Sequence, residues 1–285
     1  MRKVWMIVWV LMLAMTTVAF AQYRLETSRI AVEADRATGL YYIEVIEGDS
    51  TMCLVHSGYT SFANFFIDGE IYGMYPGSTE LPYIGFPARS GITADSTAIF
   101  FDWDIGLSLT LTELFSPFDF TYTIYDSLGD SIGIDTAGAV SIQYYFQNID
   151  PINPHIVGIL EIIDTDINGR DDAPFWTSVG YSNHVTCFPS DTIDYIPPEW
   201  IAYEFDMPFS DSGLAAHMDM SITPPDFLVL GNWRRLAITH WDDFDCEIHS
   251  DSLITDSGVL MRWNPVTRGP GETFYTNIIY GEAGG

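Results

Sequence analysis

From residue 22 onward, no stretch of about 12 residues keeps apolar side chains at helical three-to-four spacing without Gly, Pro or a β-rich run interrupting it. A chain without amphipathic helices must build its core from sheet. What recurs is a short segment rich in Val, Ile, Tyr, Phe and Thr, bounded by Gly, Pro, Asp or Ser. The reading is all-β: a large antiparallel β-sandwich, supersandwich-like in size, with about fifteen strands and negligible helix.

The expected strands are 30–33, 40–46, 52–56, 64–67, 71–74, 97–103, 107–115, 120–125, 140–148, 156–163, 202–205, 227–230, 235–240, 258–263 and 273–280. Asp68-Gly69 between apolar flanks predicts a hairpin. Leu107, Leu109 and Leu111 alternate with Ser108, Thr110 and Thr112, so that strand has one buried and one wet face. The nearly continuous apolar run 156–163 predicts a central strand. Residues 22–281 read as one large domain, with two smaller sandwiches divided near 130–138 as the alternative. Residues 282–285, Glu-Ala-Gly-Gly, read as the start of a linker. Segments 165–200 and 206–226 are richer in Pro, Asp, Asn and aromatic residues, and long loops of that kind are where a working face is expected.

Residues 1–21 combine a basic start, an apolar run and the ending Ala19-Phe20-Ala21, the pattern of a secretory signal cleaved after Ala21. The alternative is an uncleaved anchor, but the run is shorter than the roughly 20 residues that span a bilayer. No later run is long enough to insert. The expected location is therefore secreted, periplasmic or cell-surface. The remaining 285 − 21 = 264 residues can bury a sizeable core.

Removing Arg2 and Lys3 leaves 11 − 2 = 9 basic residues, all Arg, against 39 acids, a net of −30. Such a chain repels phosphate backbones, which excludes nucleic acid as a partner. Without Lys it cannot form a Schiff base, so pyridoxal phosphate is excluded, and without a P-loop no nucleotide is expected. The charge fits either solubility in salty water or bound Ca²⁺. Cys53, Cys187 and Cys246 permit at most one internal bridge and leave one thiol.

Residues 164–172 read Asp-Thr-Asp-Ile-Asn-Gly-Arg-Asp-Asp. A hard cation wants six to eight oxygens, and alternate side chains of a tight loop converge on one point. Asp164, Asp166, Asn168, the carbonyl of Arg170 and Asp172 fill those places for Ca²⁺. Phe175 stands where a bidentate Glu would close the set, and a plain Asp/Asn/Gly turn is the competing reading. Sugar rings stack on flat aromatic faces. Trp176 and Trp200 in the Pro-rich loops, Trp241 beside Asp242-Asp243, and Arg170 are the ligand-binding candidates, set against the alternative that aromatics fill β cores. Trp103 and Trp263 lie in strand patterns and read as core. For acid–base work the candidates are His184, His217 and His240, while His155 opens a strand and reads as structural. No nucleophile elbow or zinc-protease motif is present.

Three stretches carry a resemblance. They are Thr60-Ser61 through Ile67-Asp68-Gly69; His155-Ile156-Val157-Gly158 leading into Asp164-Thr165 and Asp171-Asp172-Ala173-Pro174-Phe175; and Trp263-Asn264-Pro265 with Pro270-Gly271-Glu272 before Tyr280-Gly281. The chain resembles a loose set of secreted bacterial and archaeal β proteins, and the last stretch is similar to galactose-mutarotase-like supersandwiches. The resemblance implies a sugar-related fold. In mutarotases two His and one Glu do the work, and the resemblance brings none of them onto positions here. Three functions are therefore weighed. The first is a non-catalytic module binding carbohydrate or a cell-surface polymer, recognised by a groove with two exposed Trp. The second is a sugar-acting enzyme, epimerase- or lyase-like, recognised by a pocket holding His and Glu. The third is a structural envelope module, recognised by a smooth surface with every Trp buried.

Overall fold

The computed structural model describes residues 22–75, 80–125, 131–189, 193–205, 213–242, 244–249 and 252–283. The expected signal sequence, Asp243 and the terminal Gly284-Gly285 lie outside the described residues.

The chain begins with a four-stranded antiparallel meander: β1 (Gln22–Glu26), β2 (Ile30–Asp35), β3 (Tyr41–Glu47) and β4 (Ser50–Cys53). A hairpin follows, β5 (Phe62–Ile67) and β6 (Glu70–Gly73). Its turn residues Asp68 and Gly69 both have positive φ, 51° and 98°, as a tight two-residue hairpin requires. Next come β7 (Arg89–Ile92), β8 (Ile99–Ile105), β9 (Leu109–Tyr125), β10 (Ser131–Asn148) and β11 (His155–Asp164). Three short strands, β12 (Phe175–Thr177), β13 (Gly180–Ser182) and β14 (Thr186–Phe188), precede β15 (Glu199–Tyr203), β16 (Ala215–Asp219) and β17 (Phe227–Asn232). Two four-residue helices, α1 (Trp233–Leu236) and α2 (Cys246–His249), lead to β18 (Ser257–Arg268) and β19 (Thr273–Glu282).

Two larger sheets form the sandwich. One has nine strands in the order β13-β12-β15-β16-β19-β10-β9-β8-β7, the other six in the order β14-β17-β18-β11-β5-β6, and every pairing is antiparallel. Phe65 of the six-stranded sheet meets Tyr144 and Phe146 of the nine-stranded one at ring distances of 6.0 and 5.7 Å. The meander closes one end of the core, where Tyr41 packs on Phe115 at 4.7 Å and Arg29 pairs with Glu282 at 2.6 Å.

At the centre, four polar side chains join all three sheets. Tyr41 of β3 donates to Glu161 of β11 at 2.6 Å, and the Tyr144 hydroxyl of β10 lies 2.7 Å from Glu161 Oε2 and 2.9 Å from Glu113 Oε1 of β9. Both Glu residues are wholly buried. A phenol has one proton to give. Tyr144 cannot donate to both carboxyls, so at least one carboxyl is protonated and donates to the phenol oxygen. Burial acts in the same sense: it pushes Glu161 up to about 7 and Glu113 well above the usual carboxylate range, with the Glu161 charge adding to the rise at Glu113. Gly39 sits against this cluster with φ of 79°, and a Cβ there would lie 2.6 Å from Glu113 Oε2. Backbone and space both require glycine at 39.

The structure contains nineteen strands among the described residues rather than about fifteen. The additions are short or edge strands, namely β1, β7, β12, β13, β14 and β16. The expected strands 107–115 and 120–125 are one, β9, running through Pro117. That proline is tolerated because β8 ends its pairing at Phe115, so Pro117 needs to donate to no strand on that side. Beyond it, β9 and β10 continue as a two-stranded ribbon, Ser131–Gly138 against 119–125. The expected strand 235–240 is instead α1 and a turn. Trp233, Leu236 and Ala237 turn toward the core at helical spacing while Arg234 and Arg235 face solvent, and Ala237 N–H donates to Trp233 O at 2.7 Å. Cys187 and Cys246 form a disulfide and Cys53 is the free thiol.

Two outcomes follow. Glu161 is an acid whose folded pKa lies above its unfolded one, so its stabilising protonated form is fully present below about pH 4.5. That contribution is lost as pH rises through about 7. Chemical denaturation at pH 5 and pH 8 is expected to show a fall on the order of 3 kcal/mol from this group, and Glu161→Gln is expected to flatten it. Replacing both Cys187 and Cys246 by Ser is expected to cost about 2–4 kcal/mol in the same assay, because the bridge closes a long loop.

Candidate functional site

The outer face of the nine-stranded sheet carries the side chains that the core does not use. Along β10, Val140, Ile142, Tyr144 and Phe146 point inward, so Ala139, Ser141, Gln143 and Tyr145 point outward. The same alternation turns Phe118, Phe120 and Tyr122 of β9 outward. The register then aligns one row across seven strands. Tyr181 faces Trp176, Trp176 faces Ile201, Ile201 faces His217, His217 faces Gly281, Gly281 faces Ala139, and Ala139 faces Phe118. Six inter-strand steps of about 4.8 Å make the row roughly 29 Å long.

The middle of the row is low and its ends are aromatic. Gly281 admits no side chain, because a Cβ there would collide with the Gly138 carbonyl oxygen. The gap above Gly281 and Ala139 is a depression of about 200 Å³, walled by His217 and Asp219 on one side and Phe118 and Phe120 on the other. Trp176 and Tyr181 are 36% and 40% exposed. His217 Nε2 lies 3.0 Å from Glu199 Oε2. Glu282 lines the depression, and its carboxyl is raised by burial against the opposing pull of Arg29.

Beside the row runs a chain of uncharged hydrogen bonds. Tyr145 donates to Gln143 at 2.6 Å, Gln143 to Ser141 at 2.7 Å and Ser141 to Asn277 at 2.8 Å. The Tyr145 and Tyr275 rings lie 4.8 Å apart, and burial with the Tyr275 charge raises the Tyr145 phenol, keeping it a neutral donor. Flat apolar faces beside neutral, oriented donors and acceptors suit a polyhydroxylated ligand.

A second cavity, about 370 Å³, lies between the β5–β6 hairpin and α1. Tyr75, Trp233, Thr60 and Asn64 line it together with Glu80 and His240, whose Oε2 and Nε2 are 3.0 Å apart. Asn64 Nδ2 donates to the carbonyls of Thr239 and His240 at 3.3 Å and holds that segment to β5.

The expected site residues are thus divided. His217 and Trp176 share the row, and His240 lies in the second cavity. His184 is exposed and bridges Leu253 through its backbone, apart from both. Trp200 does not face a ligand: it alternates with Ala202 on the inner side of β15 and is wholly buried, 5.4 Å from Phe175 and 5.6 Å from Tyr280. Trp241, 7% exposed, packs on Phe66 at 5.6 Å over Gly158. Arg170 is turned to its own loop, with Nε on Asp172 at 2.9 Å and a terminal nitrogen on Glu204 O at 2.7 Å. His155 is structural: its Nδ1 lies 2.6 Å from Asp68 of the hairpin turn.

The 164–172 loop is a turn and does not close on a central point. Asp166 accepts from Gly169 N–H at 2.7 Å, Asn168 donates to Glu204 at 2.9 Å, Asp172 is held by Arg170, and the Arg170 carbonyl accepts from Ile167 N–H at 3.1 Å. Asn168 adopts φ of 56°, as turn Asn residues do. Apart from Asp164, the groups expected to surround Ca²⁺ are occupied by these contacts.

Sequence reading passed over Phe118, Phe120, Ser141, Gln143, Tyr145, Glu199, Tyr275 and Asn277. The signal was present in the strands themselves: aromatic residues at period two on the wet side of β9, and neutral polar residues at period two on β10.

No family model matches the chain, and no curated protein matches it. Among solved structures the chain is similar to galactose mutarotase-like proteins. One is a galactose mutarotase related enzyme from Lactobacillus acidophilus, 9% identical, with a TM-score of 0.47 over 93% of this chain and 98% of that one. Another is a galactose 1-epimerase from Lactobacillus acidophilus NCFM, 12% identical, with a TM-score of 0.31 over 92% and 95%. A polysaccharide lyase is 12% identical, with a TM-score of 0.35 over 90% of this chain and 32% of its own.

The two fates of tryptophan are open to direct measurement. Trp200→Ala is expected to cost about 3–5 kcal/mol in denaturant unfolding, whereas Trp176→Ala is expected to stay within about 1 kcal/mol of the parent.

Proposed function

We propose that the chain is an exported, non-catalytic module that binds a carbohydrate polymer along the outer face of its nine-stranded sheet. The observation that carries this is the row Tyr181, Trp176, His217 and Phe118 across seven strands, with Gly281 and Ala139 as its floor. A row of roughly 29 Å is long for one sugar ring and suits several in line. Only one Trp of the row is exposed, and Tyr181 beside it supplies the second ring face. Glu199, Asp219 and Glu282 around the depression disfavour polyanions, so the ligand is a neutral or basic glycan. Export is supported by the Cys187–Cys246 bridge, which belongs to an oxidising compartment. No helix among the described residues is long and apolar enough to cross a membrane.

A second reading, a sugar-acting enzyme, is favoured by the Glu80–His240 pair in the second cavity. A carboxylate that orients an imidazole beside a pocket can move a proton to or from a bound hydroxyl or carbon acid.

A glycan array followed by pull-down on insoluble polysaccharides separates the two. The binding reading expects retention of the parent chain, a loss of at least about tenfold in Trp176→Ala and Phe118→Ala, and no change in Phe86→Ala, an exposed aromatic outside the row. Absence of any glycan binding, or binding indifferent to Trp176 and Phe118, would sink it. Sugar turnover abolished by His240→Ala with glycan retention intact would establish the enzyme instead.

A further inference from the structure

One carboxylate oxygen from each of Asp164, Asp171 and Asp256 lies within 4.8 Å of the other two. Asp164 ends β11, Asp171 belongs to the turn that follows, and Asp256 immediately precedes β18. The decisive member is Asp164. It is only 4% exposed, its Oδ2 accepts from Thr60, and its buried Oδ1 has no hydrogen-bond partner. A buried carboxylate oxygen without a partner is costly, and a cation in the cluster would satisfy it.

We propose that Asp164, Asp171 and Asp256 hold a calcium ion. Of the ligands expected from the 164–172 stretch the set keeps only Asp164; it adds Asp171 from the same stretch, while Asp166, Asn168 and Asp172 are engaged by Gly169, Glu204 and Arg170. The chemistry selects the ion class. All three donors are hard oxygens, which suits Ca²⁺ or Mg²⁺ rather than zinc. The nearest imidazole, His56, stands with Nδ1 4.0 Å from Asp164 Oδ2. Calcium–oxygen distances of about 2.3–2.6 Å let one ion bridge oxygens up to about 5 Å apart, whereas magnesium at about 2.1 Å demands a tighter shell. Asp171 and Asp256 also line an open polar cavity of about 400 Å³, which leaves room for water to complete the coordination. One of the three charges is already balanced, because Arg234 Nε lies 3.0 Å from Asp256 Oδ2.

The ion would tie the end of β11 to the start of β18 and to the connector that delivers β12, and with it Trp176, to the glycan row. The test is metal uptake by the chelator-stripped full chain, read by calorimetry with CaCl₂ and by sensitised terbium luminescence. Trp233 is a built-in antenna: its indole N–H donates to the Thr60 carbonyl at 3.3 Å, and the Thr60 hydroxyl donates to Asp164. One ion per chain is expected, with a higher thermal midpoint in Ca²⁺ than in EDTA. D171N, at an exposed position, and D256N are expected to weaken uptake at least tenfold, while D166N and D172N leave it unchanged. No uptake by the parent chain would overturn the proposal. So would uptake unaffected by D171N and D256N, equal losses in D166N and D172N, or Mg²⁺ binding as tightly as Ca²⁺.

Discussion

Two wholly buried carboxyl groups share one phenol, and burial favours the uncharged form of each. Tyr41 comes from the meander, Glu113 and Tyr144 from the nine-stranded sheet and Glu161 from the six-stranded sheet. Among the described residues no basic side chain is bonded to this cluster. Its hydrogen bonds can be completed only when protons are held in place of a counter-ion, and that requires the dry interior the sheets provide. The cluster also constrains register. A slip of one residue in β9, β10 or β11 would turn a carboxyl or phenol to the opposite face of its sheet and bring its neighbours inward. Unlike an apolar contact, which tolerates sliding, this one fixes the strands against each other.

Once register is fixed from within, the outer face is fixed too. Phe118 and Phe120 face outward because Glu113 and Phe115, odd-numbered and upstream of Pro117, face inward. Gln143 and Tyr145 face outward because Tyr144 reaches Glu161. The outward row is thus positioned by residues on the other side of the same strands. The proposed glycan contact would rest on side chains held by sheet pairing.

The all-β class and most long strands were legible because period-two alternation is a local signal, strong in 109–115 and in 140–148, whereas Leu107, expected on the buried face, lies in the turn before β9 and is 97% exposed. The hairpin at Asp68-Gly69 was legible for the same reason. Segment 235–240 misled because four residues of helix are too few to establish a period. The expected strands 107–115 and 120–125 are one, and their continuity was not legible because whether a proline such as Pro117 sits at an unpaired edge depends on where a different strand, β8, stops. Trp200 and Trp241 lie near polar, turn-forming residues, and only the tertiary structure shows that one faces the core and the other covers Gly158. The 164–172 pattern had the right residue types, but Asp166, Asn168 and Asp172 found partners at Gly169, Glu204 and Arg170. The acids that gather at Asp164 are Asp171, which fills none of the expected ligand positions, and Asp256, a distant residue that no spacing rule connects.

Past Pro117 the nine-stranded sheet narrows to the ribbon of β9 and β10, and Phe120 and Tyr122 sit on it. Its base is held where Ser28 N–H donates to Asp119 at 3.1 Å, but further out each strand has one neighbour instead of two. A two-stranded ribbon twists more than a wide sheet and opens locally at lower free energy. Its amides should therefore exchange with solvent well before those of β10 beside β19. One wall of the depression is compliant while its floor and opposite wall are stiff. Under the proposed reading, such an asymmetric cleft would fit glycan chains of unequal thickness by bending one side, leaving the buried carboxyl cluster undisturbed.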